Sequence, residues 1–124
     1  MATVLRSRKR KSAKDLSWMG SSREDLIRLF PEEIRKEAGK ELRSVQFGEE
    51  PKDADGLSST VGHGAFEIRF RDKDGWYRVI LVTKFEKSIY VLHAFKKKTN
   101  QTSASDIQIA KSRYSAAKKD AGVK

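Results

Sequence analysis

The chain has 124 residues, enough for one domain around a single core and too few for two. It has no cysteine and no apolar run of even ten residues, which excludes a disulfide framework, a thiolate zinc site and a membrane-spanning helix. A net charge of +10 points to a polyanionic partner such as RNA or DNA.

Residues 1–14, MATVLRSRKRKSAK, carry six Lys or Arg and no acid, the pattern of a solvated basic tail whose phosphate contacts would be nonspecific. The stretch lacks the apolar segment of a secretory signal, so a cytoplasmic location is expected. Leu16 and Trp18 alternate as in a short strand. Ser21 with Glu24, or Ser22 with Asp25, stand at capping-box spacing and start a helix near Arg23. Pro31 suits the first turn of a second helix, where its missing N–H costs nothing, and Ile34, Ala38, Leu42 and Val45 then share one face. Residues 48–64 are rich in Gly, Asp and Ser and read as a loop, with His63 between two glycines.

The strand region follows. Phe66, Ile68 and Phe70 alternate with Glu67, Arg69 and Arg71, so one face meets a core and the other is charged. Asp74-Gly75 makes a hairpin turn into WYRVILVTKFE, where Arg78 and Lys84 share the parity of Trp76, Ile80 and Val82. Glu86-Lys87 turns the chain into Ile89–Phe95, apolar on both parities and therefore expected inside the sheet with cover on both faces. That strand delivers Lys96, Lys97 and Lys98 to its own end. Ser103 or Ser105 caps a last helix whose stripe is Ile107, Ala110, Tyr114 and Ala117, with Lys111, Arg113, Lys118 and Lys119 outward. The class is α+β in the order β-α-α-β-β-β-α: a small, mostly antiparallel sheet with two N-terminal helices on one side and a C-terminal helix. One domain is expected over 15–120, with tails at 1–14 and 121–124.

Charge is placed unevenly. Residues 15–91 carry thirteen bases against fifteen acids, and 92–124 carry eight bases against two acids. A hairpin pairs residues equidistant from its turn, which brings Arg69 and Arg71 near Arg78, and phosphate binding is the simplest reason to keep like charges close. Lys84 and Lys96–Lys98 add cations whose facing parity does not settle. The ordinary alternative is a solvent-facing sheet surface neutralised by Glu67, Asp72, Asp74 and Glu86. No Walker sequence, dinucleotide glycine pattern or H-E-x-x-H motif is present, so no metal and no cofactor are expected. His63 reads as a loop residue and His93 as a packed one, each also an acid–base candidate.

The segments SWMGSSREDLIRLFPEEIRKEAGKEL and GAFEIRFRDKDGWYRVILVTKFEKSIYVLHAFKKKTNQTSASDIQIAKSRY together resemble the phage-type branch of the HigB toxins, within the RelE/ParE superfamily. The likeness spans about residues 15–118. Its most specific parts are the EIRFR and WYRV strands and YVLHAFKKKT followed by a helix with IAKSRY. It implies a RelE-like fold and the toxin half of a type II toxin–antitoxin system: a ribosome-dependent mRNA endoribonuclease that cuts without metal or cofactor. Implied partners are mRNA, the ribosome and a cognate antitoxin with a helix-turn-helix domain.

By the same resemblance, Arg69 and Arg78 fall where related toxins place basic residues for the scissile phosphate. Lys96, Lys97 and Lys98 match the basic stretch after the last strand. The expected catalytic set is Arg69, Arg78 and Lys96, with Arg71, Lys84, Lys97 and Lys98 on RNA and His93 or His63 as acid or base. Glu67 stands where some relatives have a lysine proposed for proton transfer, so the general base does not carry over by position. Two alternatives stand beside this reading: a noncatalytic RNA-binding module, and a ParE-like toxin directed at gyrase.

Overall fold

The computed structural model describes residues 12–99 and 101–123. The expected basic tail therefore lies outside the described residues as far as residue 11. Lys14 is already part of the body: its N–H donates to the Gln46 carbonyl and its ammonium to the Thr83 carbonyl.

The elements are β1 (Leu16–Trp18), α1 (Ser22–Leu29), α2 (Glu32–Gln46), β2 (Ala54–Gly56), β3 (Ala65–Asp72), β4 (Gly75–Val82), β5 (Ile89–Lys97) and α3 (Ala104–Asp120). The α+β class and the helix placement are as the patterning predicts. One strand is added to the expected order, β2, inside the stretch read as a loop. Ala-Asp-Gly has poor strand propensity and all three residues are exposed, so nothing local announces it. Pairing with β3 and two ion pairs from Arg69 hold it in place.

The strand order is β1-β5-β4-β3-β2. Only β1 and β5 run parallel; the other pairs are antiparallel. β5 is flanked on both sides, and every residue from Ile89 to Phe95 is buried, which explains its apolar character on both parities.

Each face of the sheet has its own core. On one, Phe30, just past the end of α1, and Ile34, Ala38 and Leu42 of α2 meet Ile68 and Val79. A buried aliphatic side chain contributes about 1.5–3 kcal/mol, so this stripe anchors α2 more than helix propensity does. On the other face, Ala110, Tyr114 and Ala117 of α3 meet Ile80, Tyr90 and Leu92.

The helix ends differ from expectation in detail. Ser21 makes no side-chain cap; its hydroxyl donates instead to the Asp25 carboxylate at 2.7 Å. Pro31 occupies the cap position before α2 rather than its first turn. Ser103 does cap α3, accepting from the Asp106 N–H. α3 ends on Gly122 at φ +75°, where Gly122 and Val123 donate back to the Lys119 and Lys118 carbonyls in a Schellman arrangement.

Candidate nucleic-acid interface

The β3–β4 hairpin sets Arg69 directly opposite Arg78 and Arg71 opposite Trp76; Trp76 in turn faces Lys97 on β5. Side chains alternate between faces along a strand, so these residues share the α3 face of the sheet at the end where β4 begins. Four of the seven cations expected at the site, Arg69, Arg71, Arg78 and Lys97, are thereby brought together.

Each charge has a partner that decides what it can do. Arg78 Nη1 donates to Glu67 Oε2 at 2.9 Å and to Thr102 Oγ1 at 2.7 Å. Thr102 donates to Glu67 Oε1 at 2.8 Å, closing a three-residue ring. Only 1% of the Arg78 side chain and 3% of the Glu67 side chain are exposed. Arg69 is more open and reaches the other way, 2.9 Å from Asp53 Oδ1 and 3.5 Å from Asp55 Oδ2. Repulsion between the paired arginines is thus relieved by acids on β2, its approach and β3. Arg71 is exposed, with its guanidinium 4.8 Å from the centre of the Trp76 ring; that of Arg78 lies 5.8 Å from the same ring.

A second network adjoins the first. A bulge in the β4–β5 pairing between Ile80 and Leu81 leaves Leu92 without a cross-strand partner. Leu92 and His93 are consecutive, yet both turn to α3. His93 Nε2 lies 2.8 Å from Asp106 Oδ1, and its ring stacks on Phe95 at 4.7 Å. Its Nδ1 is buried without a hydrogen-bond partner. Asp106 Oδ2 accepts from Ser103 at 2.6 Å and lies 3.0 Å from the Lys97 ammonium.

Burial pushes the His93 pKa down, against the pull of Asp106, so the imidazole is neutral near pH 7. Burial also pushes the Asp106 pKa up, but the bonds from Ser103, His93 and Lys97 outweigh it and hold the carboxyl below its ordinary value.

Other expected residues fall elsewhere. Lys96 is exposed on the opposite face, its ammonium 5.4 Å from the centre of the Tyr77 ring, so it does not join Arg69 and Arg78. Lys98 is exposed beyond the end of β5. Lys84 follows the far end of β4, eight residues past Trp76 and at ~3.3 Å per residue about 25 Å away. His63 belongs to that far end as well; its carbonyl accepts from the Tyr114 hydroxyl at 2.7 Å. Arg113, expected outward, turns inward and donates to the Leu92 carbonyl and to Ser21.

Thr102 and Asp106 are the residues that sequence patterning missed. The sequence offers Ser103 or Ser105 as a helix cap, a signal that does not single out Asp106; nothing local marks Thr102. Among the described residues no group of three or more histidine and acidic side chains gathers in a way that could hold a metal ion. Nor is any helix among them long and apolar enough to cross a membrane.

Residues 25–115 match the family model described as "Phage derived protein Gp49-like". The chain belongs to that family. No curated protein sequence matches it. Among solved structures, a chain of the toxin–antitoxin complex RelBE2 from Mycobacterium tuberculosis superposes with a TM-score of 0.49 at 13% identity, over 73% of this chain and 99% of that one. The family match spans both networks, from Asp25 in α1 to beyond Tyr114 in α3.

Proposed function

We propose that this Gp49-like protein is the toxin of a type II toxin–antitoxin pair, of the HigB-like branch of the RelE/ParE superfamily, and that it cuts mRNA on the translating ribosome. The observation that carries the reading is the gathering of Arg71, Arg78 and Lys97 around Trp76, with Arg69 opposite Arg78 and the His93–Asp106 pair beside them, at one end of one sheet face.

Metal-independent RNA cleavage needs three things: a proton taken from the ribose 2′-OH, stabilisation of charge on the attacked phosphate, and a proton for the departing 5′-oxygen. Attack of the 2′-oxygen on phosphorus leaves a 2′,3′-cyclic phosphate. Arg71 and Lys97, the accessible cations on the face, meet the phosphate oxygens in this proposal, and Arg69 adds charge from its more open position. Arg78 is too buried to be a free contact and acts as the charged support beneath Trp76. His93, neutral and held by Asp106, is the group suited to move protons. Lys96 and Lys98 reach flanking phosphates from the rim. The proposed regulator is an antitoxin with a helix-turn-helix domain.

One observation favours a second reading, a toxin acting by protein contact on gyrase. Arg69 and Arg78 are both already paired with carboxylates, which lowers the charge they offer a phosphate.

The test is a cell-free translation reaction with purified protein and primer extension of the message, with and without ribosomes. New 5′ ends on translated message alone are the expected result. Intact message with unimpaired translation would sink the nuclease reading, and inhibited supercoiling would then favour gyrase.

A further inference from the structure

We infer that Arg71 and Trp76 form a platform on which an unpaired nucleobase of the RNA stacks, with Lys97 beside it for the adjoining phosphate. The inference rests on the RNA-cleaving reading and deepens it, because it adds a base contact to a site otherwise made of phosphate contacts.

Trp76 sits in the middle of three adjacent strands. Register sets it opposite Arg71 on β3 and opposite Lys97 on β5, and all three side chains lie on the α3 face. With strands about 4.8 Å apart, the backbones of Arg71 and Lys97 are roughly 10 Å from each other. One nucleotide bridges that span with its base at Arg71 and its phosphate at Lys97. Trp18 packs against the core beneath α1 and α2, but Trp76 belongs to neither apolar core. It is half-buried, and the groups over its ring are the Arg71 and Arg78 guanidiniums. Core packing therefore does not account for an indole at this position.

Arg71 identifies the ligand. Arg69 and Arg78 are paired with acids, whereas Arg71 is exposed and makes no ion pair among the described residues. A guanidinium is planar, so with one face over the indole its other face is left for a second ring. A base placed there gains stacking and cation–π attraction, and an arginine already held on the indole loses less freedom when the base arrives. Its N–H edge still serves a phosphate oxygen. A carboxylate or an isolated phosphate would use that edge alone and gain nothing from the ring beneath. The base must be unpaired, because in a duplex both its faces are stacked on neighbours. Purines offer the larger face, so adenine or guanine should be preferred to a pyrimidine.

Replacing Trp76 would also disturb the buried Arg78–Glu67 pair beneath it, so the test leaves Trp76 in place and changes Arg71. The probes are an oligoadenylate of about six nucleotides with 2′-O-methyl riboses, which lack the attacking hydroxyl, and an abasic strand with as many phosphates. Anisotropy of the labelled strands with the full chain gives the affinities. The adenylate should bind about tenfold more tightly than the abasic strand, with the same salt dependence for both. Arg71→Lys keeps the charge without the plane, and should lose that preference while binding the abasic strand as the parent does, at an unchanged thermal midpoint. The chain has two tryptophans, so in Trp18→Phe the emission reports Trp76 alone and should change on binding adenylate but not the abasic strand. The platform is overturned by no binding, by equal affinity for the two strands, by a preference that survives Arg71→Lys, or by unaltered Trp76 emission at saturation. Binding of duplex RNA or of an oligoglutamate as tightly as the adenylate overturns it too. Message cut in cell-free translation without base preference removes the platform alone; base preference with message left intact removes the cleavage reading alone.

Discussion

Arg78 and Glu67 form an ion pair at 2.9 Å with almost no exposure of either side chain, and Thr102 bonds to both. The pair sits at the heart of the basic cluster, so its energetics govern how any variant there is interpreted. Removing one partner leaves a buried charge uncompensated, and Arg78→Ala should destabilise the fold by about 3–5 kcal/mol. Replacing both, as Arg78→Met with Glu67→Leu, should cost less than about 2 kcal/mol, because neither charge is then stranded. Urea denaturation of the three proteins checks this. A double variant as unstable as Arg78→Ala would show that a stranded Glu67 charge is not what makes the single variant costly.

Lys97 and Lys84 separate the site from mere positive charge. Lys97 shares a face with Arg78 and contacts Asp106, whereas Lys84 follows the other end of β4. If Lys97 meets the reacting phosphate, Lys97→Ala should slow message cleavage about 10²-fold or more, the scale of losing one positioned donor. Lys84→Ala should change it less than about twofold. Comparable losses would move the RNA path to the far end of the sheet.

Stability should depend on pH through His93. Its folded pKa lies below the ordinary 6.5, so in the window beneath 6.5 the unfolded chain binds the proton more readily. The contribution is complete above the unfolded value and is lost as pH falls through 6.5 toward the depressed folded value. Asp106 works in a lower window: its folded pKa is below 3.8, so its share is present above 3.8 and disappears in stronger acid. Urea midpoints should rise between about pH 5 and about pH 7 in the parent and rise less in His93→Phe. A parent midpoint that falls across this interval would contradict the burial argument.

Two glycines should respond oppositely to alanine. Gly75 opens β4 at φ +150°, and a Cβ there would stand 2.8 Å from the Lys97 carbonyl oxygen, so the backbone of β4 or β5 must shift. Gly75→Ala should cost about 1–3 kcal/mol. Gly39 lies within α2 with nothing within 4 Å of an added Cβ, and Gly39→Ala should add about 0.5–1 kcal/mol through helix propensity. Thermal denaturation reads both, and a stabilised Gly75→Ala would show that the turn relaxes freely.

Most of the architecture was legible in the residues because it rests on local periodicity. The α2 stripe, the Asp74-Gly75 turn and the apolar β5 each lie where their pattern places them; β3 is a strand as its alternation predicts, but Glu67 on its charged parity is buried against Arg78 and Phe66 is only half-buried. β2 was not legible, since its three exposed residues owe their extension to Arg69 and the β3 edge rather than to their own preferences. The inward turn of Arg113 escaped too, because helix patterning places a basic residue in solvent unless a carbonyl such as that of Leu92 is known to be waiting.

For the candidate site the division follows the same physical line. Residue types and spacing by themselves determined that cations gather on the β3–β4 hairpin and at the end of β5, because strand register is local arithmetic. Only the tertiary structure decided which of those cations face one another. The bulge that turns His93 toward Asp106, the β4–β5 register that puts Lys97 rather than Lys96 on the face of Arg78, and the closing of Thr102 over Arg78 and Glu67 all depend on contacts between segments distant in the chain. Spacing cannot encode the free energy of such contacts, because burial and pairing exist only once the sheet and α3 have come together.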